Sequence, residues 1–145
     1  MLFRSGTYAP SPSGWVRNQV EAIEAAGDTS VVGVGGGRVI LMTMVGRSSG
    51  LVRKVPVMRV ETAGRYAAFG SLGGAPKDPA WVANLRANPD IEVMDGTVSM
   101  PMRAREVFDE ERQLWWDRGV AVFPDYTAYQ ARTTRVIPVF VLEPR

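Results

Sequence analysis

Residues 38–50, RVILMTMVGRSSG, join an apolar run to a turn of small and polar residues. The run from Arg38 to Val45 is almost continuously apolar, which indicates a β-strand that is buried on both faces. The segment from Gly46 to Gly50 predicts a turn, because glycine adopts backbone conformations that other residues avoid. We therefore expect a β-sheet whose first long strand has no face exposed to solvent.

The composition limits the chemistry that the chain can perform. It has 145 residues, a net charge of +2 and no cysteine or histidine. The low net charge argues against nucleic acid as a partner. Without cysteine and histidine, disulfides, thiol nucleophiles, imidazole acid–base catalysis and nearly all zinc or haem sites are excluded, so we expect no metal. These exclusions favour chemistry that is carried by a bound cofactor.

The N-terminal part predicts an amphipathic helix, because apolar residues recur there at helical spacing. They are Trp15, Val16, Val20, Ile23 and Ala26. Ser13 is a candidate cap, and Gly27 is expected to end the helix. The polar face carries one Arg and two Glu, which favours packing on the barrel over the alternative, peripheral contact with a membrane surface. No segment is apolar and long enough for a signal peptide or a membrane span, so we expect a cytoplasmic protein.

The remainder of the chain predicts an α+β protein that is mainly β. Further strands are expected at residues 55–61 and 65–71, paired as a hairpin around residues 62–64, and at residues 91–94, 97–107 and 135–142. Pro138 suggests an edge or a bulge in the last strand. Asp78 is expected to cap a helix that ends at Asn88, and Asp109 to begin another. About six strands and two or three helices suit a small antiparallel barrel with helices packed outside. We expect an N-terminal arm and helix over residues 1–30 and a barrel domain over residues 31–145.

Three segments are candidates for ligand binding. The turn Gly46–Gly50 suits a phosphate or an ordinary hairpin, and Arg53 and Lys54 add charge nearby, although alternate residues of a strand face opposite sides. The segment 71–77 exposes backbone amides beside a helix start, so it is either a support for a flat ring or a connector. The residues Phe123, Tyr126 and Tyr129 share one helical face, which either lines an apolar substrate pocket or packs on the barrel.

The stretches GRSSGLVRKVPV, GSLGGAPKDPAWVANLRANPDIEV and FPDYTAYQARTTRVIPVFVLEP occur in this order. Together they resemble the deazaflavin-dependent nitroreductase family over roughly residues 38–145. The resemblance implies a split β-barrel of about six mostly antiparallel strands with two to four helices outside. It also implies coenzyme F420, an 8-hydroxy-5-deazaflavin with an anionic tail, and hydride transfer to a small-molecule electron acceptor: a quinone, a nitroaromatic or an activated olefin. The alternatives are an FMN-binding split barrel and a non-catalytic F420 carrier.

The resemblance also implies roles for individual residues. Tyr126 and Ser71 are the candidate proton donors, beside water, and the substrate is expected to contact Phe123, Tyr126 and Tyr129. The coenzyme tail is expected at Arg47, Ser48, Ser49, Arg53 and Lys54. The ring and its chain are expected at Val55, Pro56, Val57, Met58, Phe69, Gly70, Ser71, Leu72, Ala80, Trp81, Val82, Ala83 and Asn84.

Three positions depart from the family pattern. Ser48 and Leu72 stand where close relatives often carry lysine, so each removes a cationic contact that Lys54 or Lys77 would have to replace. Phe123 stands where some relatives use a tyrosine in nitroimidazole reduction, which favours quinones over nitro compounds as acceptors. A homodimer is compatible with the resemblance, because split barrels often pair.

Overall fold

A computed structural model describes residues 6–34 and 36–145, and its main element is a curled antiparallel sheet. The sheet order is β1-β2-β6-β7-β8-β5-β4, and β3 pairs with β2. This arrangement, with six longer strands and two of only two residues, is the expected split β-barrel. The strands are β1 (Gly33–Val34), β2 (Gly37–Val45), β3 (Val52–Met58), β4 (Glu61–Thr62), β5 (Arg65–Phe69), β6 (Asp90–Asp95), β7 (Val98–Val107) and β8 (Val139–Pro144).

Four α-helices pack against the sheet in the described part of the chain. They are α1 (Gly14–Ala26), α2 (Ala80–Ala87), α3 (Asp109–Val122) and α4 (Asp125–Ala131). Short 3-10 turns lie at Thr29–Val31 and Leu72–Gly74. Among the helices that the structure describes, none has the length and apolar character needed to cross a bilayer.

Strand β2 is buried on both faces, as the apolar run predicts. Val39 and Leu41 pack against Val20 and Ile23 of α1. The alternate residues of the strand enter a second core together with α2, β6, β7 and β8. They are Ile40, Met42 and Met44. Because side chains of a strand alternate between faces, one continuous apolar run can supply two cores at once.

Helix α1 begins and ends at the residues expected from the sequence. The Ser13 side chain accepts a hydrogen bond from the Val16 amide at 3.4 Å. Gly27 adopts a φ of 64°, and its amide donates to the Ile23 carbonyl at 2.8 Å. Both signals are local, since each needs only the residues of one helical turn.

The hairpin that was expected between residues 55–61 and 65–71 is mostly wrong. β3 pairs instead with β2 over its whole length, from Val52 opposite Val45 to Met58 opposite Val39. Only the two residues of β4 pair with β5 around the predicted turn. The physical reason is that β3 completes a long hairpin with the buried strand β2, which the turn at residues 46–51 closes.

Two expectations about single residues are also wrong. Pro138 precedes β8, which is an interior strand between β7 and β5, and its carbonyl accepts from the Gly70 amide at 2.8 Å. Asp78 does not cap α2, because Pro79 occupies the cap position without a side-chain hydrogen bond. The Asp78 carboxylate instead accepts from Arg135 Nη1 at 2.8 Å. Both expectations failed because a residue distant in sequence binds the residue in question: Gly70 binds Pro138, and Arg135 binds Asp78.

The contact between α3 and β5 requires a glycine. A Cβ atom at Gly119 would lie against the Phe69 ring, with Cε2 at 2.8 Å and Cε1 at 2.9 Å. We expect Gly119→Ala to lower the free energy of unfolding by about 1–3 kcal/mol, because an overpacked core displaces side chains or backbone. Urea unfolding measures this change. Gly14→Ala is the control, since its Cβ would meet only the end of Arg17 at 3.5 Å, and equal losses in the two variants would contradict the packing argument.

Candidate functional site

A cleft of about 710 Å³ lies beside β3. Four segments form its walls: strand β3, the segment that leads into α2, the start of α4 and the start of α1. Its volume falls within the range typical of cofactor and ligand sites. The cleft is therefore the place where the predicted binding segments should meet.

Strand β3 presents Arg53 and Lys54 to opposite sides of the sheet. Arg53 is the register partner of Met44 and Lys54 that of Thr43, so the two side chains follow opposite faces of the hairpin. The Lys54 ammonium binds the Glu24 carboxylate of α1, with distances of 2.8 and 2.9 Å to its two oxygens. Both residues line the cleft, but the Lys54 charge is already neutralised by α1.

The segment from Ser71 to Ala80 forms the wall next to α2. Leu72 is a non-glycine residue with a φ of 45°, and it is followed by Gly73 and Gly74 with φ values of 64° and 83°. A left-handed conformation at Leu72 is unfavourable by roughly 1–2 kcal/mol. The Leu72 side chain is nonetheless 48% exposed at the cleft. A strained residue with an exposed apolar side chain is typical of a surface that is shaped for a ligand.

Helix α4 and the turn before it supply an aromatic wall. The Tyr126 ring stacks on Phe69, with centroids 4.6 Å apart, and meets Phe123 edge to face at 5.1 Å. The ring centroids of Tyr129 and Tyr126 lie 6.2 Å apart. Burial raises the pKa of the Tyr126 phenol far above its usual value, and Tyr129 raises it further. Tyr126 therefore keeps its proton on Oη throughout the neutral range.

Three cations of the described chain stand out because they have no internal partner. The side chains of Arg47, Arg53 and Lys77 make no ion pair, hydrogen bond or aromatic contact with residues 6–34 and 36–145, whereas the other described Arg and Lys side chains each make at least one. Arg53 and Lys77 line the cleft. The Arg47 amide donates to Asn84 Oδ1 at 2.9 Å, which ties its turn to a residue of the cleft. Unpaired cations in this position suit an anionic ligand.

The structure brings most of the sequence-predicted site residues to the cleft. Ser71, Phe123, Tyr126 and Tyr129 line it, as do Arg53 to Met58, Phe69, Leu72, Ala80, Trp81 and Asn84. Six predicted residues do not line it. Arg47, Ser48 and Ser49 are exposed in the adjoining turn, Gly70 and Val82 are buried against each other, and Ala83 is half-buried on α2.

Sequence reasoning missed the wall that is formed by the N-terminal segment and α1. Trp15, which is 57% exposed, lines the cleft together with Ser11, Ser13 and Val16. The helical spacing of Trp15 predicted packing on the barrel. Its position in the first turn of α1 is the one sequence signal compatible with a place at the rim of the cleft. The other missed residues are Val34, Val39, Met44, Gly73, Lys77, Asp78 and Pro79.

The sequence model of the F420H(2)-dependent quinone reductases matches residues 15–144. The chain belongs to this family. This result confirms the resemblance to deazaflavin-dependent reductases and the coenzyme that it implied. Family membership makes the protein an oxidoreductase and disfavours both alternatives, an FMN-dependent enzyme and a non-catalytic carrier.

Individual proteins that are similar to this chain agree with the match. A quinone reductase of this type from Mycobacterium tuberculosis is 32% identical over 109 residues, which cover 73% of each chain. A solved F420-H2 dependent reductase is 47% identical, with a TM-score of 0.69, and covers 72% of this chain and 93% of its own. A solved structure described as a domain-swapped dimer is 46% identical, with a TM-score of 0.73, and covers 92% of this chain and all of its own, 100%.

The free hydroxyl of Tyr126 leads to a prediction about stability. No described residue forms a hydrogen bond with Tyr126 Oη, while the ring has four aromatic neighbours. We expect Tyr126→Phe to change the free energy of unfolding by less than about 1 kcal/mol and Tyr126→Ala to lower it by about 3–5 kcal/mol. Urea unfolding of both variants checks this. A similar loss in the two variants would show that the hydroxyl is bound to the protein instead of facing the cleft.

Proposed function

We propose that the protein reduces a planar apolar quinone with F420H(2), and that the cleft beside β3 holds both molecules. The observation that supports this assignment is that Arg53 and Lys77, which have no partner among the described residues, line a cleft that also has apolar and aromatic walls, with Arg47 in the adjoining turn. The anionic tail of the coenzyme would bind the cations, and its ring would lie against the apolar and aromatic walls. When bound, the reduced deazaflavin supplies a hydride from C5 to the acceptor.

The residues of the cleft fit the coenzyme in charge and in shape. Arg53 and Lys77 would hold the anionic tail, with Arg47 from the adjoining turn. The backbone of β3 and the segment 71–73 would support the flat ring, and Gly73 lets the ring approach the main chain closely because it has no side chain. Lys77 lines the cleft close in sequence to Leu72, which supports it as the replacement for the missing family lysine. Lys54 is a weaker candidate, since Glu24 binds its ammonium.

Tyr126 would stabilise charge on the acceptor instead of releasing a proton to it. Hydride addition converts a quinone into a hydroquinone anion, whose phenol-like oxygen has a pKa near the ordinary tyrosine value of about 10. The raised pKa of Tyr126 makes full proton transfer to that oxygen unfavourable. Its Oη can instead donate a hydrogen bond to the developing negative charge. Water at the open cleft would then deliver the proton that completes the hydroquinone.

The walls opposite β3 favour a neutral, apolar acceptor. Phe123, Tyr126 and Tyr129 form one side, and Trp15 and Val16 of α1 form another. These side chains carry no charge, so they suit quinones, with nitroaromatics and activated olefins as further candidates. A domain-swapped dimer among the relatives supports the proposal of a homodimer, which sedimentation equilibrium can test. The cytoplasmic location and the membrane contact remain predictions.

The first experiment measures binding of oxidised F420 and of FMN to the same sample by fluorescence titration. We expect the protein to bind F420 and to prefer it over FMN. Arg53→Met should weaken F420 binding by about 10-fold or more, because a charge-assisted hydrogen bond contributes about 1.5–3 kcal/mol. Lys54→Met should have a smaller effect, since Glu24 neutralises that charge. The control Arg103→Met removes a surface cation that pairs with Asp90, and an Arg53 variant no weaker than this control would refute the tail position.

The second experiment tests the role of Tyr126 in turnover. With F420H(2) and menadione, we expect Tyr126→Phe to lower kcat by about 100- to 1,000-fold, the loss typical of removing one donor to a developing oxyanion. The affinity for F420 should stay within about 2-fold, because the aromatic stack is retained. Unchanged kcat would remove Tyr126 from the mechanism. Absence of turnover in the wild-type protein with menadione and with nitroaromatics would contradict the proposed reaction.

A further inference from the structure

Arg135 lies in the connection between α4 and β8 and binds one segment at four points. Its Nε donates to the Ala75 carbonyl at 2.9 Å, and its Nη2 donates to the Ser71 carbonyl at 2.9 Å. Its Nη1 donates to the Gly70 carbonyl at 3.1 Å and to Asp78 Oδ1 at 2.8 Å. The side chain is only 16% exposed. One guanidinium thus joins both ends of residues 70–78 to the C-terminal part of the sheet.

The segment 70–78 needs such external support, because its own backbone is held by few bonds. Leu72, Gly73 and Gly74 all have positive φ values. Within the segment, the Gly74 amide donates to the Ser71 carbonyl and the Ala75 amide to the Leu72 carbonyl, at 2.9 and 3.1 Å. The glycines adopt these values freely, but the strained conformation of Leu72 persists only where surrounding groups determine it.

This segment forms a wall of the cleft, whereas Arg135 does not. Ser71, Leu72, Gly73, Lys77 and Asp78 line the cavity. Any effect of Arg135 on a ligand therefore passes through this segment, by way of its main chain or of the Asp78 carboxylate that the guanidinium binds. Arg132 assists from the same connection, because its Nη1 donates to the Gly73 carbonyl at 3.2 Å.

We propose that Arg135 is a positioning residue that holds residues 70–78 in the shape that binds the coenzyme. The proposal rests on the function proposed above. Without the guanidinium, the segment samples other conformations, and the apparent affinity falls in proportion to the fraction that remains competent. Once the coenzyme is bound, its own contacts order the segment. The loss therefore appears in the Kd and KM for the coenzyme more than in kcat.

The first test is hydrogen exchange in the protein without ligand. In Arg135→Met, we expect the amides of Gly74 and Ala75 to exchange at least 10-fold faster than in the wild type, while the amides of β6 and β7 stay unchanged. Arg112→Met is the matched control, because Arg112 also donates to a carbonyl of this connection, that of Ile137, at 2.9 Å. In the part of the chain that the structure describes, Arg112 forms no hydrogen bond or ion pair with residues 70–78.

The second test separates binding from turnover. Arg135→Met should raise the Kd for oxidised F420 and the KM for F420H(2) by about 10-fold and change kcat by less than about 3-fold. Arg135→Lys should recover part of the affinity, since an ammonium can reach some but not all of four acceptors. Arg112→Met should bind F420 as the wild type does.

Each outcome decides the proposal. Unchanged exchange at Gly74 and Ala75 in Arg135→Met, or equal losses of affinity in the Arg135 and Arg112 variants, would overturn it. If Arg135→Met does not fold, Arg135→Lys replaces it, with at least 3-fold faster exchange expected at the same two amides and unchanged exchange overturning the proposal. If the wild type binds no F420, the proposed function fails, whereas the exchange experiment still decides whether Arg135 holds the segment.

Discussion

The burial of β2 on both faces is the constraint on which the other elements depend. One face needs α1, and the other needs the core that α2 and the strands β6 to β8 complete. Because β2 also carries β3 along its edge, the same strand places one wall of the cleft. The start of α1 is then held at that cleft by the packing of its later residues. The packing that buries β2 therefore also positions two walls of the cleft.

The cleft combines rigid and weakly supported walls. Strand β3 is fixed by its hairpin with β2, and the aromatic wall is fixed by ring contacts among Phe69, Phe123 and Tyr126. The segment 70–78 has little regular structure and depends on Arg135 and Arg132. Both arginines follow α4 in the chain, so the proposed acceptor side and the proposed coenzyme side of the cleft share one support. Changes near the acceptor wall can therefore reach the coenzyme through this connection.

Much of the fold could be predicted from the sequence because its signals are local. The caps at Ser13 and Gly27 and the acidic first turn at Asp109 depend on neighbouring residues only. The strand partner of residues 52–58 and the positions of Asp78 and Pro138 depend on groups far along the chain, and these expectations failed. For the site, the resemblance led to residues that mostly line the cleft. Trp15 was missed, because helical spacing alone does not distinguish a core residue from one at the rim of a cavity.

Arg47, Arg53 and Lys77 have no partner in the part of the chain that the structure describes, and this has a consequence for how the protein meets its ligand. The net charge of the chain is only +2, so the long-range field is weak, and half of the described Arg and Lys side chains pair with a carboxylate. Arg53 and Lys77 line the cleft without any partner among the described residues, and a cleft with low-dielectric walls focuses the field of such cations. An anionic molecule is therefore guided to the cleft and not to the surface in general. An anion that binds there in the folded protein stabilises the fold by mass action, so it contributes to the stability of the protein as well as to its chemistry.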